Sequence, residues 1–209
     1  MTPTLIAIAG ASGSGKTTLA QQLARLLGSD TAPAPVINLD RYYRDYSHLE
    51  LHQRAAINFD HPDSLNLTRF AADLRAWRKG GTVAPPGYDF TQHRPLQAGE
   101  RVHAAPVMIV EGILVLHTAA LRELFQVSLF IDTPLEVCLS RRIERDVRER
   151  GRSRESVITQ FSQTVMPMTQ QYVLPQQDYA DVTLTPADQP AVIVETIRQH
   201  LSNTLCQHL

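Results

Sequence analysis

The chain has 209 residues, 43% of them hydrophobic and 20% charged, which fits one substantial core and excludes a disordered chain. A net charge of −1 gives no general attraction to nucleic acid or to an anionic membrane surface. Two distant cysteines, Cys138 and Cys206, exclude a dense disulfide framework and any zinc-ligand spacing. The opening "MTPTLIAIAG" lacks a basic leader, and no apolar run reaches the ~20 residues needed to span a bilayer. A cytoplasmic protein with no nucleic-acid or membrane partner is the expectation.

"LIAIAG" predicts a buried strand, and "KTTLAQQLARLLG" an amphipathic helix ending at Gly28. "PVINLD" is a second strand, and "SLNLTRFAADLRAWRKGG" a second helix that stops at Gly80 and Gly81. Residues 82–103 hold Pro85, Pro86, Gly87, Pro95 and Gly99, so they predict short strands and turns outside the main sheet. "PVMIVEG" is a third strand, "TAALRELF" a helix and "VSLFID" a fourth strand. A charged helix runs from about Pro134 to Gly151, and another from about Ser153 toward Tyr172, which Pro167 should kink or end. "ADVTLT" supplies a fifth strand, and residues 190–205 a closing helix. Alternating strands and helices predict an α/β fold, a doubly wound parallel five-stranded sheet with helices on both faces. One domain spanning residues 1–209 is expected, with a β-rich insertion at about 82–103 and an arginine-rich lid at about 141–160.

"GASGSGKTT" fits the phosphate-loop pattern G-x-x-x-x-G-K-[ST] between a strand and a helix, the context that this motif requires. Gly10, Ala11, Ser12, Gly13, Ser14 and Gly15 would curl the backbone so that N–H groups face one anion, with Thr18 in the first helical turn. Lys16 would reach the outer phosphates of a nucleoside triphosphate, and the Thr17 hydroxyl would ligate Mg²⁺. Glu111 ends a parallel strand where such sheets place ligands, and is a second candidate for the metal. Gly112 after it suggests a tight turn close to ligand.

Asp40, in "LDRYYRD", also ends a predicted strand beside the phosphate loop. A carboxylate there could orient an acceptor hydroxyl and take its proton, with Tyr42 and Tyr43 walling an organic acceptor. In "NFDHPD", Asp60 is assigned to vicinal hydroxyls such as those of a ribose, and Asp63 to capping the following helix. "PGYDFTQHRP" offers Tyr88, Phe90 and His93 to a planar base. From Arg141 to Arg154 the chain carries seven arginines, more than helix pairing alone requires. Arg142 with Asp146, Arg145 with Glu149, and Glu144 with Arg148 would pair at i,i+4. Arg150 and Arg152 flank Gly151 and suit a lid over a triphosphate, whereas the interleaved acids would repel a nucleic-acid backbone.

Taken in order, "AIAGASGSGKTT", "LDRYYRD", "NFDHPDS", "YDFTQH", "IVEGILVL", "FIDTPLEVCLSRRIERDVRERGR" and "YADV" resemble the uridine kinase (uridine–cytidine kinase) family of P-loop kinases along nearly the whole chain. The resemblance implies 5′-phosphorylation of uridine and cytidine by ATP or GTP with Mg²⁺, commonly in a homotetramer. By position it implies Asp40 as catalytic base, with Asp60 and Arg142 around the ribose. Tyr88 and His93 fall at the pyrimidine, Thr17 and Glu111 near Mg²⁺, and Gln160 near substrate. Arg145, Arg150 and Arg152 fall on phosphate-facing lid positions. The chain departs from the family at His93–Arg94, where a residue usually intervenes. It departs again at Asp178, where a basic residue is common, and at "LTPADQP", where a glycine turn is common. The alternatives are a relative acting on another hydroxyl, such as phosphoribulose or pantothenate, and a nucleotide-binding switch, for which the chain lacks an N-K-x-D motif.

Overall fold

β1 (Thr4–Gly10) organises the core because its side chains alternate between two buried layers. Leu5, Ala7 and Ala9 join one layer, and Ile6 and Ile8 the other. A strand apolar on both sides belongs in a parallel sheet covered on both faces. The structure, a computed structural model, describes residues 2–96 and 99–206.

A glycine-rich turn leads from β1 into α1 (Lys16–Leu27), whose Leu19, Ala20 and Leu23 cover the Ile6 side. β2 (Val36–Asn38) is followed by a single 3-10 turn, Leu39–Tyr42, and by a short helix, α2 (Leu51–Ala55). α3 (Leu67–Arg78) lays Phe70, Leu74 and Trp77 on the Leu5 side. Next come β3 (Thr82–Val83), β4 (Gly87–Asp89), β5 (Arg94–Leu96) and β6 (Val102–His103). They pair antiparallel as β3–β6 and β4–β5, apart from the main sheet. β7 (Val107–Glu111), α4 (Ala119–Arg122), β8 (Val127–Ile131) and α5 (Leu135–Arg150) restore the alternation. α6 (Arg154–Gln160) and α7 (Met166–Met168) follow, then β9 (Val182–Leu184). α8 (Pro190–Cys206) returns Ile193, Val194 and Ile197 to the α1 layer.

The main sheet runs β2-β7-β1-β8-β9 and every pair in it is parallel. This is the expected five-stranded fold. From β1 the chain moves to one edge of the sheet, and after β7 it crosses to the other. The crevice at that switch lies outside the carboxyl ends of the strands. Register sets Asn38 beside Glu111 there, one strand from the phosphate loop.

Four local expectations change. Asp63 does not cap α3: Asn66 accepts the Arg69 N–H at 3.0 Å. Pro62 opens a separate 3-10 turn (Pro62–Ser64), so the Asp63 N–H donates to His61 Nδ1 at 3.2 Å instead. Pro167 does not end the helical path, because π-helical turns at Phe161–Val165 and Thr169–Val173 flank it. The wider turn removes the ring's clash with the carbonyl one α-turn back. α2 was not expected; a capping box between Glu50 and Gln53 starts it. Gly112 serves packing: a Cβ there would lie 2.5 Å from Leu39 Cβ. Residues 97 and 98 of the expected insertion lie outside the described residues. Among the described residues no helix is long and apolar enough to cross a membrane.

Because the Leu39–Tyr42 turn rests on Gly112, Gly112→Ala is expected to cost ~1–3 kcal/mol, the usual range for overpacking. Urea unfolding of the variant measures this; an unchanged midpoint would show that the turn yields freely.

Candidate active site

Within Gly10–Thr18, residues 11–15 form a tight loop between β1 and α1. Gly13 is required twice over, since its φ is +87° and a Cβ would lie 2.4 Å from the Cys138 carbonyl oxygen. The Ser14 carbonyl accepts from Thr133 Oγ1 and from Arg141 Nη1, each at 3.1 Å, which ties the loop to α5. Lys16 is buried, and its Nζ donates back across the loop to the Ala11 carbonyl at 2.8 Å. Burial lowers the Lys16 pKa, while Glu111 and Asp40 act against that shift. A cleft of about 220 Å³ opens over the loop, lined by Gly13, Lys16, Thr17, Glu111 and Arg141.

Glu111 is almost wholly buried, and one of its oxygens joins three elements. Oε1 accepts from Thr17 Oγ1 at 2.9 Å and from Asn38 Nδ2 at 2.7 Å. Asn38 Oδ1 in turn accepts the Asp40 N–H at 2.6 Å. Asp40 therefore lies in the 3-10 turn beyond β2, where Asn38 holds it, rather than ending the strand itself. Its Oδ1 is shielded from solvent and has no hydrogen-bond partner among the described residues. Burial raises the pKa of Asp40, with Lys16, Arg150 and Arg145 opposing in that order. Glu111 is likewise raised by burial and lowered by Lys16.

On the far side of Asp40 lies a cavity of about 280 Å³ walled by Tyr43, Phe59, Tyr88, Phe90 and His93. Asp40, Ser12, Ile113 and Arg145 line both this cavity and the phosphate-loop cleft. Phe59 stacks on His93, with ring centres 4.9 Å apart and planes 13° from parallel. The Tyr88 hydroxyl is buried without a hydrogen-bond partner among the described residues. His93 closes the short β4–β5 hairpin with φ +48°, at the site where the sequence lacks a residue of the family pattern. Burial lowers the His93 pKa, and Arg152 and Arg150 lower it further, so the ring is neutral at pH 7. Asp60 also lines this cavity, its pKa raised by burial and opposed by Arg142. Only one of the two expected tyrosines is present: Tyr42 is buried in the core and donates to Asp73 at 2.9 Å. Successive residues of that turn point in different directions, and Tyr43 takes the cavity side.

The arginines follow a pattern that spacing did not show. Arg142, Arg145, Arg150 and Arg152 all line the aromatic cavity, and all four approach the buried carboxylate of Asp146. Of the three expected i,i+4 pairs, Arg142 with Asp146 is present at 3.7 Å. Arg145 turns to Asp146 at 2.7 Å, and Arg148 pairs with Glu149 at 2.5 Å. Arg142 also donates to Ser12 Oγ, and Gln160 Oε1 accepts from Arg142 and Arg152 at 3.0 and 2.6 Å. Arg150 lies over the Phe90 ring at 5.0 Å. Arg150 and Arg152 thus face the aromatic side, Arg141 the phosphate loop, and Arg145 both.

Sequence reading overlooked Asn38, Phe59 and Arg141, and gave Asp146 only its pairing with Arg142. Asn38 carried a signal, as a polar residue ending an apolar strand. Asp146 carried one too, with arginines four residues before and after it. Phe59 and Arg141 looked like ordinary loop and helix residues.

The profile described as "Phosphoribulokinase / Uridine kinase family" matches residues 5–192. The uridine kinase of Salmonella typhimurium (strain LT2) is 40% identical over 200 residues, 95% of this chain and 94% of the relative. Among solved structures, a candidate fructose transport system kinase from Silicibacter sp. TM1040 aligns with a TM-score of 0.71 at 23% identity, covering 88% of this chain and 90% of that one. The D-glycerate 3-kinase of Cryptococcus neoformans var. grubii aligns with a TM-score of 0.57 at 16% identity, covering 82% and 79%. At those identities the structures speak for the fold, the P-loop kinase architecture. The match along the sequence goes further: this chain belongs to the phosphoribulokinase/uridine kinase family.

Proposed function

We propose that the chain transfers the terminal phosphoryl group of ATP or GTP to the 5′-hydroxyl of uridine or cytidine, giving UMP or CMP. The observation that carries this is Asp40, which lines both the phosphate-loop cleft and the aromatic cavity and whose Oδ1 has no hydrogen-bond partner among the described residues. A nucleoside in that cavity would bring its 5′-hydroxyl to Asp40, which orients it and takes its proton as the new O–P bond forms. A raised carboxylate pKa suits a general base at neutral pH. Asp60 would accept from the ribose hydroxyls with Arg142 beside it. Tyr43, Phe59, Tyr88 and Phe90 would enclose the base, with His93 as a neutral hydrogen-bonding ring.

On the donor side, backbone amides from Gly10 to Thr18 and Lys16 would hold the outer phosphates. Arg145, Arg150 and Arg152 would offset charge on the moving group. Thr17 and Glu111 offer a hydroxyl and a carboxylate, hard oxygens already in contact. No group of three His, Cys, Asp or Glu suited to a metal occurs among the described residues. Mg²⁺ that keeps waters and phosphate oxygens needs few protein ligands, so the pair fits it. There Mg²⁺ would neutralise phosphate charge. A third cleft of about 320 Å³, lined by Thr18, Gln22, Thr185 and Asp188, would take the donor purine, next to the departure at "LTPADQP". The reading also takes residues 1–209 as one kinase domain, with the insertion at 82–103 and the lid at 141–160. It includes a cytoplasmic homotetramer, for which sedimentation of the purified protein is the check.

Replacing Asp40 with Asn is expected to lower kcat by ~10²–10⁴ with ATP binding retained. The stability sign is opposite. A carboxyl pKa raised on folding gives stability below its unfolded value that is lost as pH rises through the folded value. Asp40→Asn should therefore melt higher than the parent at neutral pH, with the difference shrinking toward acid; a lower melting point at pH 7 contradicts this.

His93→Ala is expected to raise KM for pyrimidine nucleosides much more than KM for ATP. In the parent, acceptor KM should be flat from neutral to alkaline pH and rise only below the ordinary histidine range, because the ring resists protonation. Equal losses for donor and acceptor would remove His93 from the base site, and a screen in which neither UMP nor CMP forms would remove the acceptor itself.

A further inference from the structure

One buried ionisable group has no part in the chemistry above. Asp146, on α5, is 0% exposed and does not line the cavity. Its Oδ1 accepts from Arg145 Nε at 2.8 Å, and lies 2.7 Å from Arg145 Nη2 and 3.4 Å from Arg150 Nη1. Its Oδ2 lies 3.4 Å from Arg152 Nη1 and 3.7 Å from Arg142 Nε. The four guanidiniums come from both sides of Gly151. That residue ends α5 with φ +62° and folds the chain back, so that the Arg152 N–H donates to the Asp146 carbonyl at 3.2 Å. Gly151 here fastens Arg152 to the helix end.

Four guanidiniums around one cavity repel each other, and each long side chain has rotamer freedom to lose. Left alone they would splay toward water. A central carboxylate supplies the opposing charge and fixes the forks, and its pKa is held below the usual range because the arginines outweigh its burial. It does not neutralise them: four positive charges less one negative leaves three, the sign that a transferring phosphoryl group needs. Asp146 is also attractive to the same arginines that a phosphate must engage, so it competes with the nucleotide for them.

We propose that Asp146 is a positioning residue for phosphoryl transfer, fixing Arg142, Arg145, Arg150 and Arg152 as one preorganised cluster while restraining its attraction for the nucleotide. The proposal rests on the kinase reading above and deepens it. Its signature is a split between turnover and binding, which a carboxylate with a purely structural role would not produce.

The test is Asp146→Asn, which keeps size and removes charge. Turnover should fall by ~10² or more, the effect expected when reacting groups move by ~1 Å. The Kd for ATP, read by fluorescence titration without acceptor, should stay unchanged or tighten. Its dependence on ionic strength should steepen, since the cluster then carries four uncompensated charges. Asp146→Glu should recover part of the turnover. A kcat within about threefold of the parent overturns the proposal, as does ATP affinity that falls in step with kcat. Should Asp146→Asn not fold, Asp146→Glu is read by the same pair of measurements, and the split or its absence decides. If the parent phosphorylates neither uridine nor cytidine, the acceptor reading fails. The Asp146 comparison is then read on ATP hydrolysis to water, so the two ideas fail separately.

Discussion

A single oxygen, Glu111 Oε1, holds the site together. It accepts from the Thr17 hydroxyl on α1 and from the Asn38 amide on β2, and it is itself the last residue of β7. Asn38 passes the constraint on to the Asp40 backbone. Three neighbouring elements are thereby fixed at the rim of the sheet, and the phosphate loop and the turn that carries Asp40 keep one spacing. Strand register makes this possible, because the parallel ladder sets Asn38 opposite Glu111. The sheet supplies a rigid frame, and the functional groups stand on the turns just beyond it.

The same region concentrates unfavourable charge. Lys16, Asp40, Glu111 and Asp60 each have a pKa moved against the ionised form by burial, and each is partly compensated by a neighbour of opposite sign. Such groups weaken the fold and strengthen the chemistry, since electrostatic effects grow where water is excluded. The apolar layers above and below β1 are what offset them. At the end of α5 the logic reverses: Asp146 is an anion made more acidic by arginines, within a cluster that stays positive.

The phosphate-loop turn and the rim position of Glu111 were legible as sequence because they depend on local spacing and on a strand end, whereas Asp40 lies in the turn beyond β2. The five strands were legible for a similar reason, as each is a short apolar run. Tyr42 and Tyr43 were not separable, since their directions follow from a one-turn 3-10 helix after β2. Asp63 was misread because Pro62 starts a separate turn and leaves the cap of α3 to Asn66. The arginine-rich helix was read by i,i+4 spacing on an exposed face. Spacing cannot tell which acid turns inward, and Asp146 drew arginines from beyond the helix end that no periodicity connects to it.

By itself the sequence determined the alternation of strands and helices and the glycine-rich phosphate loop, because hydrophobic period and glycine spacing act over a few residues. Tertiary structure alone decided that Asp40 stands in the wall between two clefts, that Phe59 stacks on His93, and that four arginines share one carboxylate. Those contacts join segments far apart in the chain, and burial, strand register and charge balance select them only after the layers have packed.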